Sequence, residues 1–213
     1  MADPIVTEQA AKPTAPLQLA IVRQRYTPYG GAERFVSDAM QALQQVGVKL
    51  SLYTREWPGG DSIFQPVICN PFYLGSLWRD WSFGRAVCKA IGIHQPDLVQ
   101  SHERIRCCDI FRAGDGLHRV WLAERRRHLS WLGKLSITLN PTHHFRLAVE
   151  NRLFASPRLK AVICISEMIR DEMLSHFPID PAKLHVIYNA VDTSRFSPEL
   201  REHRTAIFER YGI

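Results

Sequence analysis

The chain has 213 residues, 46% of them hydrophobic, and a formal charge of +6, which suits one good-sized domain with its own core or two small ones. Its apolar runs are strand-length and broken by charge, which argues against an integral membrane protein and leaves a soluble or membrane-peripheral one. The positive charge is mostly arginine and asks for anionic partners, a demand that nucleic acid, anionic lipid and sugar phosphates meet equally well.

Residues 1–16, MADPIVTEQAAKPTAP, hold three prolines and no apolar run, and read as a disordered leader rather than a secretion signal. LQLAIVR (17–23) reads as a first strand, followed over 32–46 by a helical pattern with Phe35, Val36, Ala39, Met40 and Leu43 on one face. VKLSLYT (48–54) and IFQPVIC (63–69) read as further strands, and Pro66 marks the latter as an edge strand. A helix is expected near 77–91, then two strands, DLVQSHE (97–103) and CDIFRAG (108–114), each ending in polar residues. From 117 to 154 the pattern is helical and strongly basic, interrupted at Asn140-Pro141, where proline suits the first turn of a new helix. LKAVICIS (159–166) is the clearest strand, Ser166 is placed to cap the helix after it, and HVIYNAV (185–191) supplies a last strand before the short helical RTAIFERYGI at the end. This alternation predicts an α/β, Rossmann-like, doubly wound and mostly parallel sheet, whose ligands bind at the carboxyl ends of the strands.

Several chemistries lack their signatures. Five cysteines without a CxxC pair, two of them adjacent at Cys107 and Cys108, do not make a disulfide framework, so reduced thiols in a cytoplasm are expected. There is no HxH or HExxH spacing, and His143 and His144 on a helix point to different faces, so no metal is expected. No G-x-S-x-G elbow marks a serine hydrolase, and no nucleic-acid reader motif occurs, so nucleic acid is not an expected partner.

Three constellations carry chemistry. In TPYGGAERF (27–35), Gly30 and Gly31 lie between strand and helix, where backbone N–H groups and the helix dipole favour a phosphate, although the pair equally suits a tight turn. The run does not match G-x-G-x-x-G, which disfavours a nicotinamide cofactor. Glu33 and Arg34 follow, and either touch substrate or orient the loop. At the ends of two later strands stand His102, Glu103 and Arg104, and Asp115 in AGDG. The first three read as a hydroxyl- or phosphate-binding cluster or as a solvated loop with one ion pair. Asp115 reads as an acid–base or sugar-contacting group, or as the cap of the helix starting at Leu117. Finally, residues 117–146 interleave Arg119, Arg125, Arg126, Arg127 and Lys134 with Trp121, Trp131 and several leucines. That pattern suits either a bilayer interface or a packed helix with a solvated basic face.

RYTPYGGAERFV (25–36), VKLSLYT, AVICIS (161–166) and KLHVIYNAVDTSRFSP (183–198), in that order, resemble the amino-terminal half of family 4 retaining glycosyltransferases. Asn189, Ala190, Val191, Asp192 and Phe196 match the N-G/A-V-D-x-x-x-F passage between their two Rossmann-like domains, with alanine where glycine is usual. Within the family, the glycine-pair segment and DIFRAGDG (109–116) look most like lipopolysaccharide core enzymes. The resemblance implies one half of a two-domain, B-type glycosyltransferase. Residues 17–192 are then the acceptor-side domain and 193–213 the start of an interdomain linker, with the second domain expected to be absent.

It also implies a nucleotide-sugar donor as substrate, no cofactor or metal, and hexosyl transfer to a lipid-linked or phosphorylated saccharide such as lipopolysaccharide core. Gly30 and Gly31 would lie beside the donor diphosphate, and Asp115 where relatives place a histidine or aspartate near the transferring sugar. A lipid-linked acceptor adds weight to docking on an anionic inner membrane surface through Trp121, Arg125, Arg126, Arg127 and Trp131, with the chain cytoplasmic or peripheral on that membrane's inner face. The alternative is a non-catalytic module that binds anionic saccharide or membrane.

Overall fold

The computed structural model describes residues 15–25, 39–56, 65–189, 201 and 204–212. Its strands are β1 (Gln18–Val22), β2 (Lys49–Thr54), β3 (Gln65–Ile68), β4 (Leu98–Ser101), β5 (Ile110–Ala113), β6 (Ala161–Cys164) and β7 (Leu184–Val186). Among them run α1 (Gly75–His94), α2 (His118–Arg127), α3 (Trp131–Leu139), α4 (Pro141–Phe154) and α5 (Glu167–His176), with α6 (Arg204–Tyr211) last. All seven strands join one parallel sheet in the order β3-β2-β1-β4-β5-β6-β7. The chain therefore winds outward in one direction from β1 and then, from β4, in the other. That reversal opens a crevice at the carboxyl ends of β1 and β4.

β1 shows why the sheet is covered on both sides. Leu19 and Ile21 pack with Leu50, Leu52 and Met40 of the helical stretch 39–45, whereas Ala20 and Val22 join a larger core with Tyr53, Phe83, Val99 and Phe111. A strand of period two with both faces buried is the pattern of a parallel sheet between helices. Pro66, without an N–H to donate, lies in the edge strand β3, as its chemistry requires.

Local caps set several boundaries. Ser166 Oγ accepts the Ile169 N–H at 3.3 Å, and Asn140 Oδ1 accepts the Thr142 N–H at 2.9 Å with Pro141 in the first turn of α4. The basic stretch also breaks between Arg127 and Trp131, a stop that the helical pattern did not mark. Arg125, Arg126 and Arg127 occupy the last turn of α2, where the negative end of the helix dipole favours cations.

One expectation is corrected. Cys88 of α1 and Cys107 of the β4–β5 connection form a disulfide, with an S–S distance of 2.05 Å. The expectation of reduced thiols rested on motif spacing, and two cysteines 19 residues apart make no motif. The fold lays the connection against α1 and brings them together. Cys69, Cys108 and Cys164 are buried free thiols, and burial pushes the latter two up to about 12 and about 11. Among the described residues no helix is long and apolar enough to cross a membrane.

Candidate functional site

Arg55, at the end of β2, fixes one wall of the crevice. Its guanidinium donates to Asn70 Oδ1 (3.0 Å), Pro71 O (3.1 Å), Ser82 Oγ (3.0 Å) and the Arg79 carbonyl, and sits 4.6 Å from the centroid of the Tyr73 ring. One buried cation thereby holds the amino-terminal part of α1 over the strand ends, and its burial lowers its own pKa. Across from it, Asp80 of α1 takes both Nε (3.1 Å) and Nη2 (2.8 Å) of Arg146 on α4, besides the neighbouring Arg79. This fork ties the two helices together.

Between them lies a cavity of about 180 Å³. Gln24 of β1's end, Glu103 and Arg104 of β4's end, and Asp115 of β5's end line it, facing Arg79, Asp80, Phe83, Phe145 and Arg146 of the helices. The fold thus brings Glu103, Arg104 and Asp115 together from two separate loops, as strand ends in a doubly wound sheet should.

Each plays a different part. Glu103 Oε1 accepts the Gln24 N–H at 3.0 Å and lies 3.7 Å from the Arg23 guanidinium, while its backbone exchanges hydrogen bonds with the Ser101 hydroxyl. Burial raises the Glu103 pKa, the Gln24 N–H and Arg23 oppose that rise, and Asp115 and Asp80 add to it. A carboxyl group of this kind holds its proton more readily than a surface glutamate. His102 is half-buried, and its backbone N–H donates to Val22 O at 3.0 Å. Burial first, then Arg112 and Arg23, lower the His102 pKa to about 3, so the imidazole is neutral at ordinary pH.

Arg104 is largely committed elsewhere. It donates to Glu150 Oε1 (3.1 Å) and to the carbonyl of Gly116 (2.7 Å), a residue at φ 65° where glycine carries no side-chain penalty. Glu150 is fully buried and also accepts the N–H groups of His118 (2.8 Å) and Arg119 (3.4 Å). It is the acceptor for the first turn of α2, whose cap residue Leu117 offers no side-chain bond. Asp115 is exposed, lines the cavity, and does not cap α2, because Glu150 already does.

Glu150 escaped the sequence reading, as did Asp80 and Arg146. One signal was present: Glu150 falls in register with Leu153 and Phe154 on the buried side of α4, and a carboxylate at such a position needs a partner. Gly30, Gly31, Glu33 and Arg34 lie outside the described residues. Of the matched interdomain passage, Asn189 is described, and its Oδ1 accepts from Arg112 of β5 at 2.6 Å. His118 Nε2 and His143 Nδ1 lie 3.2 Å apart, whereas His144 turns to the Thr138 carbonyl. No group of three His, Cys, Asp or Glu side chains suited to a metal occurs among the described residues.

The sequence profile of Glycosyltransferase Family 4 matches residues 29–195. The chain belongs to glycosyltransferase family 4. A probable transglycosylase of Burkholderia thailandensis is 24% identical over 172 residues, which cover 79% of this chain and 44% of the relative. The crystal structure of WaaG, a glycosyltransferase involved in lipopolysaccharide biosynthesis, superposes with a TM-score of 0.73 at 18% identity, covering 92% of this chain and 51% of that one. A glycosyltransferase from Rickettsia africae gives 0.52 at 14% identity, with 92% and 50% covered. At these identities the structural likeness is one of fold. This family 4 chain spans about half the length of the proteins it matches.

The basic segment of the family 4 domain divides between packing and exposure. Trp121 stacks on buried His118 at 5.5 Å and takes the Arg125 guanidinium at 5.1 Å, yet stays 46% exposed. Trp131 is 72% exposed, and Leu132, Leu135 and Leu139 continue its face along α3. Arg126 reaches Thr138 Oγ1 of α3 at 3.1 Å, so the cations border this apolar face. Arg127 pairs with Glu124 three residues before it.

Proposed function

We propose that the chain is the acceptor-side domain of a retaining hexosyltransferase. In this reading it serves transfer from a nucleotide sugar to a lipid-linked saccharide such as lipopolysaccharide core. The observation that carries the reading is the cavity where Glu103 and Asp115 meet at the strand ends, in a chain whose family is glycosyltransferase. Two carboxylates without a full set of partners accept hydrogen bonds from sugar hydroxyls, and Glu103, with its raised pKa, is suited to share the proton of an attacking hydroxyl. His102, neutral at ordinary pH, stands next to Glu103 without adding charge and does not itself line the cavity. Gly30 and Gly31 are assigned to the donor diphosphate on the sequence match alone, while Glu33 and Arg34 either touch substrate or orient that loop. Backbone N–H groups there would stabilise its developing charge without a metal.

The exposed apolar face of α3 beside Arg125 and Arg126 supports docking on an anionic membrane surface, which would bring a lipid-linked acceptor to the cavity. The same face is the specific observation behind a second reading, a non-catalytic module that holds anionic saccharide or lipid. The Cys88–Cys107 bond runs against a placement on the cytoplasmic side, where thiols are kept reduced. Under that placement the pair would be a dithiol. Hexose transfer from a labelled nucleotide sugar to core saccharide, measured for this chain together with a supplied second Rossmann-like half, separates the two readings. Turnover that disappears in Glu103→Gln supports the enzyme. Saccharide or vesicle binding without turnover supports the module.

A further inference from the structure

The cavity at the strand ends continues along α1 and α4 into a second one of similar size, about 180 Å³. The two share Asp80, Arg104, Ile105, Phe145 and Val149, so they form one groove between the helices. Their charge differs. The second adds Arg85 of α1, Arg106 of the β4–β5 connection and Arg152 of α4, together with Trp81.

The carboxylate facing this second cavity, Asp80, is already taken by Arg146 and Arg79. Arg104 is likewise taken by Glu150. Arg85, Arg106 and Arg152 form no ion pair with a described carboxylate. Arg85 rests 5.9 Å from the ring centroid of Trp81, which is 47% exposed. Isolated arginines on a surface are ordinary, and their exposure alone would say nothing. Here they come from three separate segments onto one concave site, and the Cys88–Cys107 bond fastens the segment that carries Arg106 to the helix that carries Arg85.

We propose that this second cavity binds a phosphomonoester carried by the acceptor saccharide, with a sugar ring against Trp81 and the next hydroxyls directed at Glu103 and Asp115. The proposal deepens the transferase reading and rests on it for the word acceptor. Guanidinium forks match the oxygens of a phosphate dianion in pairs, and an indole face offers an apolar platform for the C–H side of a sugar. An anion held at one end of the groove fixes the register of the saccharide at the other.

Binding to the 213-residue chain, measured by calorimetric titration without donor, tests this independently of turnover. The probes are glucose 6-phosphate, glucose, glucuronate, inorganic phosphate and a nucleoside diphosphate, uridine diphosphate. The account expects glucose 6-phosphate to bind at least about tenfold more tightly than glucose or inorganic phosphate alone, and more tightly than glucuronate. Arg85→Gln with Arg152→Gln should weaken glucose 6-phosphate by roughly tenfold or more and leave melting unchanged, because both side chains are exposed. Arg106→Gln should act in the same direction. Lys49→Gln, exposed at the amino end of β2, should change nothing. Equal binding of glucose and glucose 6-phosphate, or an unchanged affinity in the double variant, overturns the proposal. Preference for glucuronate, or a nucleoside diphosphate that needs the same arginines more than the sugar phosphate does, overturns it too. A chain that binds glucose 6-phosphate through these arginines yet transfers no sugar when given a second half keeps the site and refutes the transferase reading instead.

Discussion

Arginine does opposite work in two regions of this molecule. Between α1 and α4, Arg104 meets the fully buried Glu150 and Arg146 forks onto Asp80. Along α2 and α3, Arg125 covers an indole ring, Arg126 reaches a threonine hydroxyl, and Arg127 pairs with Glu124 where both side chains are more than half exposed. In the first region, removing Arg104 leaves the buried Glu150 without its cation, which costs several kcal/mol. In the second, water replaces the partner at little cost. A run of basic residues in a sequence looks more important than a lone one, yet here the lone arginines hold the fold together and the run is left for a surface.

The largest expected effect breaks the first region. Glu150→Ala should destabilise the chain by about 3–5 kcal/mol in urea unfolding, since it strands Arg104 and leaves the first turn of α2 without its acceptor. A loss below about 1 kcal/mol would show that the pair is not structural. The next effect is one of pH. Burial first, then Arg104, Arg146 and His143, lower the His118 pKa from 6.5 to about 4. The unfolded chain therefore takes up this proton at a higher pH than the folded one. Stability from the neutral ring is complete above about pH 6.5 and is lost as the pH falls toward 4. Melting temperatures should drop across that window, and His118→Asn should flatten the drop. An equally steep fall in the variant would assign it to other groups, of which His102, also lowered by burial, is the first to examine.

The smallest effect on stability sharpens the second region. Replacing Arg125, Arg126 and Arg127 together by glutamine should change stability by less than about 0.5 kcal/mol. At about 1 kcal/mol for each basic residue near an anionic surface, it should weaken binding to anionic vesicles by roughly a hundredfold and leave neutral ones alone. Trp131→Ala should reduce binding to both and barely alter melting, as a 72% exposed ring requires. A packed tryptophan would instead cost about 3–5 kcal/mol.

What the sequence made legible was local. Pro66 announced an edge strand, and Ser166 and Asn140-Pro141 announced helix starts, because each signal acts within a few residues of its cause. Glu103 and Asp115 were legible as strand-end residues for the same reason. The pairs that shape the cavity were not. Arg104 and Glu150 stand 46 residues apart, Asp80 and Arg146 stand 66 apart, and Cys88 and Cys107 meet only because a connection packs on α1. No spacing rule encodes such meetings. They follow from the order of the strands, which decides which loops share the crevice.

The most direct test of the account is Asp115→Asn, assayed for hexose transfer by this chain together with a supplied second half, beside its melting curve. Asp115 is exposed in the cavity and Glu150 already serves α2, so the account predicts an unchanged melting temperature and turnover lowered by roughly a hundredfold or more. Turnover equal to that of the unaltered chain would contradict it and remove Asp115, and with it the strand-end cavity, from the chemistry.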